Sequence, residues 1–156
     1  VAMNGLEERV RILHGDLREG IAGASGSVDV VSCNPPYMAL RRGEQSQATS
    51  RAIARQEICC SLEEAVNETA RLLKNGGRAY FVYRPHRLDE LFAACNAARL
   101  TPKRMKFAHP YSEREANLVL LEAVKGGGSF LRVEAPIVVF RSPGVYSDEI
   151  RDIYGY

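Results

Sequence analysis

The sequence predicts an α/β fold built on one mostly parallel β-sheet. Short apolar runs alternate with amphipathic helical segments along the chain, and polar residues follow the ends of the first two runs. The 156 residues are about the length of one domain, and 46% hydrophobic and 26% charged residues are typical of a globular protein. No stretch of about 18 apolar residues occurs, so we expect no membrane span. No secretory signal is visible and the cysteines indicate no disulfide framework, so we expect a cytoplasmic location.

The first part of the chain contains two apolar runs that predict strands. Val10–His14 predicts the first, and Val28–Cys33 predicts a second, more buried one. Asn34-Pro35-Pro36-Tyr37 follows directly, and its prolines must end the strand because they have no N–H donor for a ladder. Residues 38–56 are polar, and they predict an irregular loop near this motif.

Two amphipathic segments predict helices in the middle of the chain. Ser61 and Glu64 have the spacing of a capping box, so the first helix should begin at Ser61. Asn75-Gly76-Gly77 should end it. Apolar residues at helical spacing mark the buried faces of the two helices: Leu62, Ala65, Val66, Thr69, Leu72 and Leu73 in the first, and Leu88, Leu91, Phe92 and Cys95 in the second.

The remaining strands are predicted in the second half. Ala79–Tyr83 is apolar and aromatic, Lys103–Ala108 alternates as a half-buried strand does, and Leu118–Val124 is continuously apolar. The last two lie close together in the sequence, so they could pair as antiparallel neighbours. Residues 131–140 are extended and interrupted by Pro136, and the C-terminal tail 141–156 could hold a short helix around residues 148–153.

Asn34-Pro35-Pro36-Tyr37 is the most specific functional signal. Ligands of open parallel sheets bind at the carboxyl ends of the strands, where Asp16 and Asn34 are expected. A rigid turn would present the Pro35 carbonyl and the Asn34 amide oxygen as two fixed acceptors. Two such acceptors suit a planar amine with two N–H groups, and accepting both hydrogens localises the nitrogen lone pair. Tyr37 supplies a flat face for stacking. The alternative is a Pro-Pro turn with a packed tyrosine that merely ends a strand.

With these residues the chain resembles the class I methyltransferases that use S-adenosylmethionine, and within them the bacterial tRNA1(Val) adenine-37 N6-methyltransferases. The blocks that carry the resemblance are Asn4-Gly5-Leu6, His14-Gly15-Asp16-Leu17, Asn34-Pro35-Pro36-Tyr37, Ala54-Arg55-Gln56-Glu57, Leu72-Leu73-Lys74-Asn75-Gly76-Gly77-Arg78, Tyr83-Arg84-Pro85, His109-Pro110, Ala116-Asn117-Leu118-Val119-Leu120 and Ile153-Tyr154-Gly155. Asn-Pro-Pro-Tyr alone also occurs in glutamine methyltransferases, whereas the later blocks favour the tRNA adenine group.

The resemblance implies a Rossmann-like class I methyltransferase sheet, mostly parallel with an antiparallel C-terminal hairpin, that lacks the first two strands. Residues 1–156 would then be the C-terminal two-thirds of one methyltransferase domain, because the glycine-rich cofactor motif of the family is absent. Two missing strands at about 4.8 Å spacing would leave the first predicted strand about 10 Å too far from the second to pair with it. We therefore expect either that this strand repacks or that a partner completes the sheet, the partner being the missing N-terminal part of the same protein or a second copy. The isolated fragment should be inactive and should bind the cofactor weakly.

The resemblance also implies S-adenosyl-L-methionine as the cofactor and gives roles to individual residues. Asp16 would contact the adenine end of the cofactor, Leu17 would lie beside it, and Asn34 would also border it. Asn34 and the Pro35 carbonyl would hold the target amine, while Pro36 and Tyr37 would contact the substrate. We assign no general base, because the amine proton becomes acidic as the N–C bond forms.

The charge pattern suggests a nucleic-acid partner only weakly. The net charge is +2 and the sequence pI is about 8.4, but residues 38–56 carry four arginines against one glutamate. Arg41, Arg42 and Arg55 could hold RNA phosphates beside the target pocket. The alternative is a solvated, mobile loop.

The leading interpretation is an enzyme that methylates the N6 amine of adenine in a tRNA. A protein glutamine N-methyltransferase is an alternative, since a side-chain amide presents the same two N–H donors. A non-catalytic RNA-binding or assembly module is another. The four cysteines, 33, 59, 60 and 95, form no CxxC pair, so we expect neither a metal site nor a disulfide framework.

Overall fold

A computed structural model of the chain describes residues 1–22, 24–37 and 60–155. The helices of this part are α1 (Leu62–Leu72), α2 (Leu88–Ala97) and α3 (Asp148–Tyr154), with short 3-10 turns at Ala2–Asn4, Leu17–Glu19 and Pro85–Arg87. The strands are β1 (Val28–Cys33), β2 (Leu73–Tyr83), β3 (Leu100–His109), β4 (Leu118–Lys125), β5 (Arg132–Val133), β6 (Ile137–Val138), β7 (Phe140–Ser142) and β8 (Val145–Tyr146). No helix in these ranges combines the length and apolar content that crossing a bilayer requires.

The main sheet has the strand order β1-β2-β4-β3-β5, and β6 also pairs with β3. β1 and β2 are parallel, and β5 and β6 run parallel to β3. β4 is antiparallel to both of its neighbours, so it alone among the described strands of this sheet runs in the opposite direction. The predicted mostly parallel sheet with an antiparallel β3–β4 hairpin is therefore confirmed. β7 and β8 form a separate hairpin within the C-terminal tail.

Helix α1 begins with the predicted capping box. The Ser61 hydroxyl accepts a hydrogen bond from the backbone N–H of Glu64 at 3.1 Å, and the Glu64 carboxylate accepts one from the backbone N–H of Ser61 at 2.6 Å. The predicted end of the helix at Asn75-Gly76-Gly77 is wrong, because the helix ends at Leu72 and these residues lie in β2. Gly77 is needed there, because a Cβ atom would lie 2.9 Å from the Lys74 carbonyl and 3.1 Å from the Asp29 carbonyl of β1.

The core lies between one face of the sheet and helices α1 and α2. Side chains along β2 alternate, so Phe81 and Tyr83 are buried beneath the helices while Tyr80 points to the opposite face and is 38% exposed. Val66 of α1 and Leu91 of α2 complete the same buried cluster. A smaller cluster forms around α3 and β6. The two central helices thus hold β1 and β2 in place from one side.

The predicted strand at Val10–His14 is wrong. This segment has no regular structure, and its apolar side chains are exposed, with Ile12 at 76%. A strand requires a neighbour that pairs with its backbone groups. Within the described residues β1 pairs only with β2, and no strand lies beside residues 10–14. An apolar run without a partner therefore stays irregular here.

Candidate functional site

Two loops leave the same edge of the sheet because β1 and β2 are parallel neighbours. Cys33, the last residue of β1, pairs with Phe81 near the end of β2. Asn34–Tyr37 follows β1 and Arg84–Arg87 follows β2, so the two segments come together at the carboxyl ends of the strands. This edge is where ligands of such sheets bind.

We call Asn34–Tyr37 the acceptor turn. Asn34 is exposed, Pro35 is buried, and Tyr37 is half-buried against the core. The hydroxyl of Tyr37 donates a hydrogen bond to the side-chain oxygen of Asn34. The turn is therefore closed on itself, and one of the two lone pairs on the Asn34 amide oxygen is already used.

Arg84 covers the Tyr37 ring. Its guanidinium carbon lies 4.6 Å from the ring centroid, within the range of a cation–π contact. Arg84 also donates to the carbonyl of Asn117 at 3.0 Å, and the ring of Tyr83 lies 5.8 Å from that of Tyr37. Stacking of a flat substrate on Tyr37 must therefore use the part of the ring that Arg84 leaves free, or displace Arg84.

Arg87 anchors the far end of the acceptor turn. It donates to the Tyr37 carbonyl at 2.7 Å and pairs with Glu90, with one nitrogen–oxygen distance of 2.5 Å and another of 3.0 Å. The hydrogen bonds between them raise the pKa of Arg87 and lower that of Glu90, so both are ionised at neutral pH. The Arg87 guanidinium also lies over the ring of buried Tyr83, 5.3 Å from its centroid.

Sequence reasoning gave Arg84 and Arg87 no function. Arg84 belonged to one of the family blocks, but only as part of the resemblance. The signal that could have found both is position, since they follow the strand that runs parallel to β1. Residues that follow neighbouring parallel strands meet at one edge of the sheet.

A second turn, residues 16–21, contains the predicted cofactor residues Asp16 and Leu17. Asp16 caps the 3-10 turn, accepting from the backbone N–H of Arg18 at 2.9 Å and from its side chain at 2.5 Å. These bonds lower the pKa of Asp16 to about 2, so its carboxylate is ionised at neutral pH. Leu17 is exposed. The turn thus presents a carboxylate beside an apolar side chain.

The second turn is fixed to helix α1 by an ion pair. The carboxylate of Glu68 accepts from the backbone N–H of Ile21 at 2.9 Å, and Arg71 donates to the Ile21 carbonyl at 2.8 Å. Arg71 and Glu68 also bond each other at 2.6 Å and 2.7 Å, which lowers the pKa of Glu68. The turn keeps a defined place on α1 although residues 10–14 form no strand.

Cys60 lies just before helix α1, where its thiol donates to the Ser61 carbonyl at 3.1 Å. Burial raises the pKa of its thiol, and the charges of Glu64, Cys33 and Asp16 raise it further. Burial also raises the pKa of Cys33, so both thiols are protonated and poor nucleophiles at neutral pH.

The structure thus gathers the predicted site residues into two turns. Asn34, Pro35, Pro36 and Tyr37 form one, and Asp16 with Leu17 forms the other. Arg41, Arg42 and Arg55, with all of residues 38–56, for which an irregular loop was predicted, lie outside the described residues. Within the part of the chain that is described, no group of three or more His, Cys, Asp or Glu residues is arranged to hold a metal ion.

Comparison with known proteins identifies the fold. No protein-family model matches the chain, and no curated protein matches its sequence. Among solved structures, a predicted O-methyltransferase of Agrobacterium tumefaciens is 20% identical with a TM-score of 0.72, over 99% of this chain and 70% of that one. A putative DNA modification methylase of Thermus thermophilus is 22% identical with a TM-score of 0.51, over 88% and 57%.

A third structure extends the comparison to an enzyme with bound ligands. The geranyl diphosphate C-methyltransferase of Streptomyces coelicolor A3(2), solved with Mg²⁺, geranyl diphosphate and S-adenosyl-L-homocysteine, is 13% identical with a TM-score of 0.54. It is matched over 80% of this chain and 57% of its own length. At these identities the similarity shows the fold alone. The chain therefore has the Rossmann-like fold of class I methyltransferases.

Proposed function

We propose that this chain belongs to a methyltransferase that uses S-adenosyl-L-methionine and modifies a planar amine. One observation carries the proposal: an Asn-Pro-Pro-Tyr turn lies at the carboxyl end of β1, in a fold shared with methyltransferases. The Streptomyces enzyme with this fold, bound to S-adenosyl-L-homocysteine, supports the choice of cofactor.

The residues of the second turn fit the cofactor. The Asp16 carboxylate is ionised and can accept hydrogen bonds from hydroxyl or amine groups, while exposed Leu17 can contact an apolar ring. The cofactor supplies an activated methyl group on a sulfonium. Arg18 holds the Asp16 carboxylate at 2.5–3.0 Å, so it also sets the direction in which that carboxylate can accept.

In the acceptor turn, the Asn34 amide oxygen and the Pro35 carbonyl hold the two hydrogens of the target amine. Because both amine hydrogens are accepted, the nitrogen lone pair is less delocalised into the ring or carbonyl of the substrate. As the N–C bond forms and the S–C bond breaks, the nitrogen becomes positively charged and loses one proton to solvent. Positioning of the amine supplies most of the rate, because the methyl donor is already activated.

We further propose adenine N6 in a tRNA as the target. The resemblance to tRNA adenine methyltransferases supports this choice, and Arg84 beside the turn adds a positive charge suited to a phosphate. The Thermus protein with this fold is named for DNA modification, so DNA belongs in the test as well. A glutamine side chain presents the same pair of N–H donors, and it is the alternative target.

We also propose that residues 1–156 are the C-terminal two-thirds of one methyltransferase domain. The chain contains no glycine-rich cofactor motif, and it spans 57–70% of the three proteins compared above. Within the described residues, β1 has a strand on one side only. Residues 1–156 alone should therefore bind S-adenosylmethionine weakly, and micromolar binding in a calorimetric titration would contradict this.

The activity test uses the full-length protein encoded by the gene and S-adenosylmethionine with a labelled methyl group. Unmodified tRNA, double-stranded DNA and a release-factor peptide containing glutamine are offered separately. We expect label in tRNA, recovered as N6-methyladenosine after digestion. Label only in DNA or only in the peptide would replace the proposed substrate, and label in none would refute the enzyme and favour a binding module.

A matched pair of variants tests the role of the acceptor turn. Asn34→Ala removes one of the two acceptors and should lower kcat about 100-fold to 1000-fold, as loss of one preorganised hydrogen bond does in other active sites. Asn67→Ala, at an exposed position of α1, is the control and should leave kcat unchanged. Equal rates for the two variants would exclude Asn34 from the chemistry.

A further inference from the structure

Rigid substrate positioning requires that both ends of the acceptor turn be fixed. At its start the turn continues from Cys33, which the β1–β2 pairing holds. The two prolines restrict the backbone φ angles in the middle of the turn. Its other end, at Tyr37, pairs with none of the strands that the structure describes, and a contact from a distant part of the sequence holds it.

Arg87 makes that contact. Its Nη1 donates to the Tyr37 carbonyl at 2.7 Å, across 50 positions of sequence. The side chain is only 12% exposed, so the bond is partly shielded from water, and a charged donor strengthens it.

Arg87 is itself held in place from two further sides. The Glu90 carboxylate accepts hydrogen bonds from Nε and Nη2 of Arg87 at 3.0 Å and 2.5 Å, and the ring of Tyr83 lies beneath the guanidinium. Three nitrogens of the planar guanidinium donate at the same time, to Tyr37 and to Glu90. Lysine has a single ammonium group and cannot reproduce this arrangement. The position of the Tyr37 carbonyl is therefore set by α2 and by the core.

We propose that Arg87 is a positioning residue that aligns the acceptor turn for methyl transfer. This inference rests on the proposed function of the turn. Arg87 acts through the Tyr37 carbonyl and is not required to touch the substrate. Since displacement of reacting groups by about 1 Å can cost about 100-fold in rate, loss of this anchor should slow transfer far more than it weakens cofactor binding.

The test compares Arg87→Met and Arg87→Lys with Arg104→Met in the full-length protein. Arg104 is a matched control: it also pairs with two carboxylates, Glu122 at 3.2 Å and Glu134 at 2.7 Å, but lies on the opposite face of the sheet. At saturating cofactor and acceptor, the single-turnover rate of methyl transfer should fall about 100-fold in Arg87→Met and about 10-fold in Arg87→Lys. The dissociation constant of S-adenosylmethionine should change less than twofold, and Arg104→Met should match the wild type.

Two further measurements distinguish a misaligned acceptor turn from a site that has lost its structure. Added guanidinium should partly restore the rate of Arg87→Met, whereas a collapsed site would not respond. The carbon-13 resonances of the Tyr37 ring should shift or broaden in Arg87→Met and stay unchanged in Arg104→Met, because the ring lies beside Arg84 and Tyr83 in a place that Arg87 fixes.

The outcomes distinguish this inference from the proposed function. Unchanged Tyr37 resonances in Arg87→Met overturn the inference whether or not the protein is active. So does an unchanged transfer rate, or a rate loss that only follows loss of cofactor occupancy. A wild-type protein that methylates no acceptor refutes the proposed function, and the spectra still decide whether Arg87 sets the position of the turn.

Discussion

The hydrogen bond between Tyr37 and Asn34 predicts that a substitution in the candidate site improves substrate binding. In the structure the tyrosine hydroxyl uses an acceptor that the proposed target amine needs. The target amine must therefore displace the phenol or share the Asn34 oxygen with it through the second lone pair, and in either case the phenol competes with substrate binding. Tyr37→Phe removes the hydroxyl but keeps the ring and its contacts with Arg84 and Tyr83. The substitution should thus strengthen binding of the acceptor substrate.

The size of the effect follows from the bond that is removed. A hydrogen bond contributes about 0.5–1.5 kcal/mol net, so its loss from the free enzyme should lower KM for the acceptor about 2-fold to 12-fold. Tyr37→Ala has the opposite effect, because it also removes the stacking surface. Stacking of one base is worth about 1–3 kcal/mol, which predicts a rise in KM of about 5-fold to 150-fold.

The assay is steady-state methylation by the full-length protein, with KM for the acceptor measured at saturating cofactor for wild type and both variants. Thermal unfolding followed by circular dichroism checks that each variant is folded. The reasoning requires KM to fall in Tyr37→Phe and to rise in Tyr37→Ala. If Tyr37→Phe raises KM as much as Tyr37→Ala, the hydroxyl contacts substrate directly and the competition between phenol and amine is refuted.

Three further predictions concern stability. Ser61→Ala should lower the free energy of unfolding by about 1 kcal/mol through loss of the N-cap of α1, whereas Asn67→Ala on the exposed side of the same helix should not, as urea denaturation will show. Phe81→Ala should lower the free energy of unfolding by about 3–5 kcal/mol, because Phe81 is fully buried. Phe130→Ala should lower it by less than about 0.5 kcal/mol, because Phe130 is 90% exposed. Equal denaturation midpoints for the two variants would disprove the assigned core. The hydrogen bond from Arg71 lowers the pKa of Glu68 in the folded protein. The ionised Glu68 therefore contributes its full stabilisation above the ordinary pKa of 4.5, and this contribution is lost as the pH falls below that value. The advantage of wild type over Glu68→Gln should therefore be constant above about pH 5.5 and shrink as the pH falls through 4.5 and below, and a difference that does not change with pH would contradict the role of the charge.

Local features were predictable from the sequence because they depend on few neighbouring residues. The capping box at Ser61 and Glu64 lies within four positions and formed as expected. The prolines at 35 and 36 end β1 because they lack the N–H groups that a ladder needs.

Pairing was harder to predict because it depends on residues distant in sequence. Val10–His14 has the apolar content of a strand, but no described strand lies beside it, and it stays irregular. Asn75-Gly76-Gly77 has the composition of a helix end, yet it lies in β2, between the residues that pair with Val28 and Val30 of β1, and Gly77 comes close to the Asp29 carbonyl of that strand. In both cases the presence or absence of a neighbour decided the outcome, and local composition carries no record of that neighbour.

The sequence by itself determined the alternation of strands and helices, the rigid motif after β1 and the chemical groups that this motif can offer. Only the tertiary structure decided what surrounds the motif. Because β1 and β2 are parallel neighbours, Arg84 and Arg87 arrive at Tyr37 from about 50 positions away and cover and anchor it. Such contacts are set by strand pairing and helix packing, which bring together residues whose separation along the chain gives no sign of their proximity.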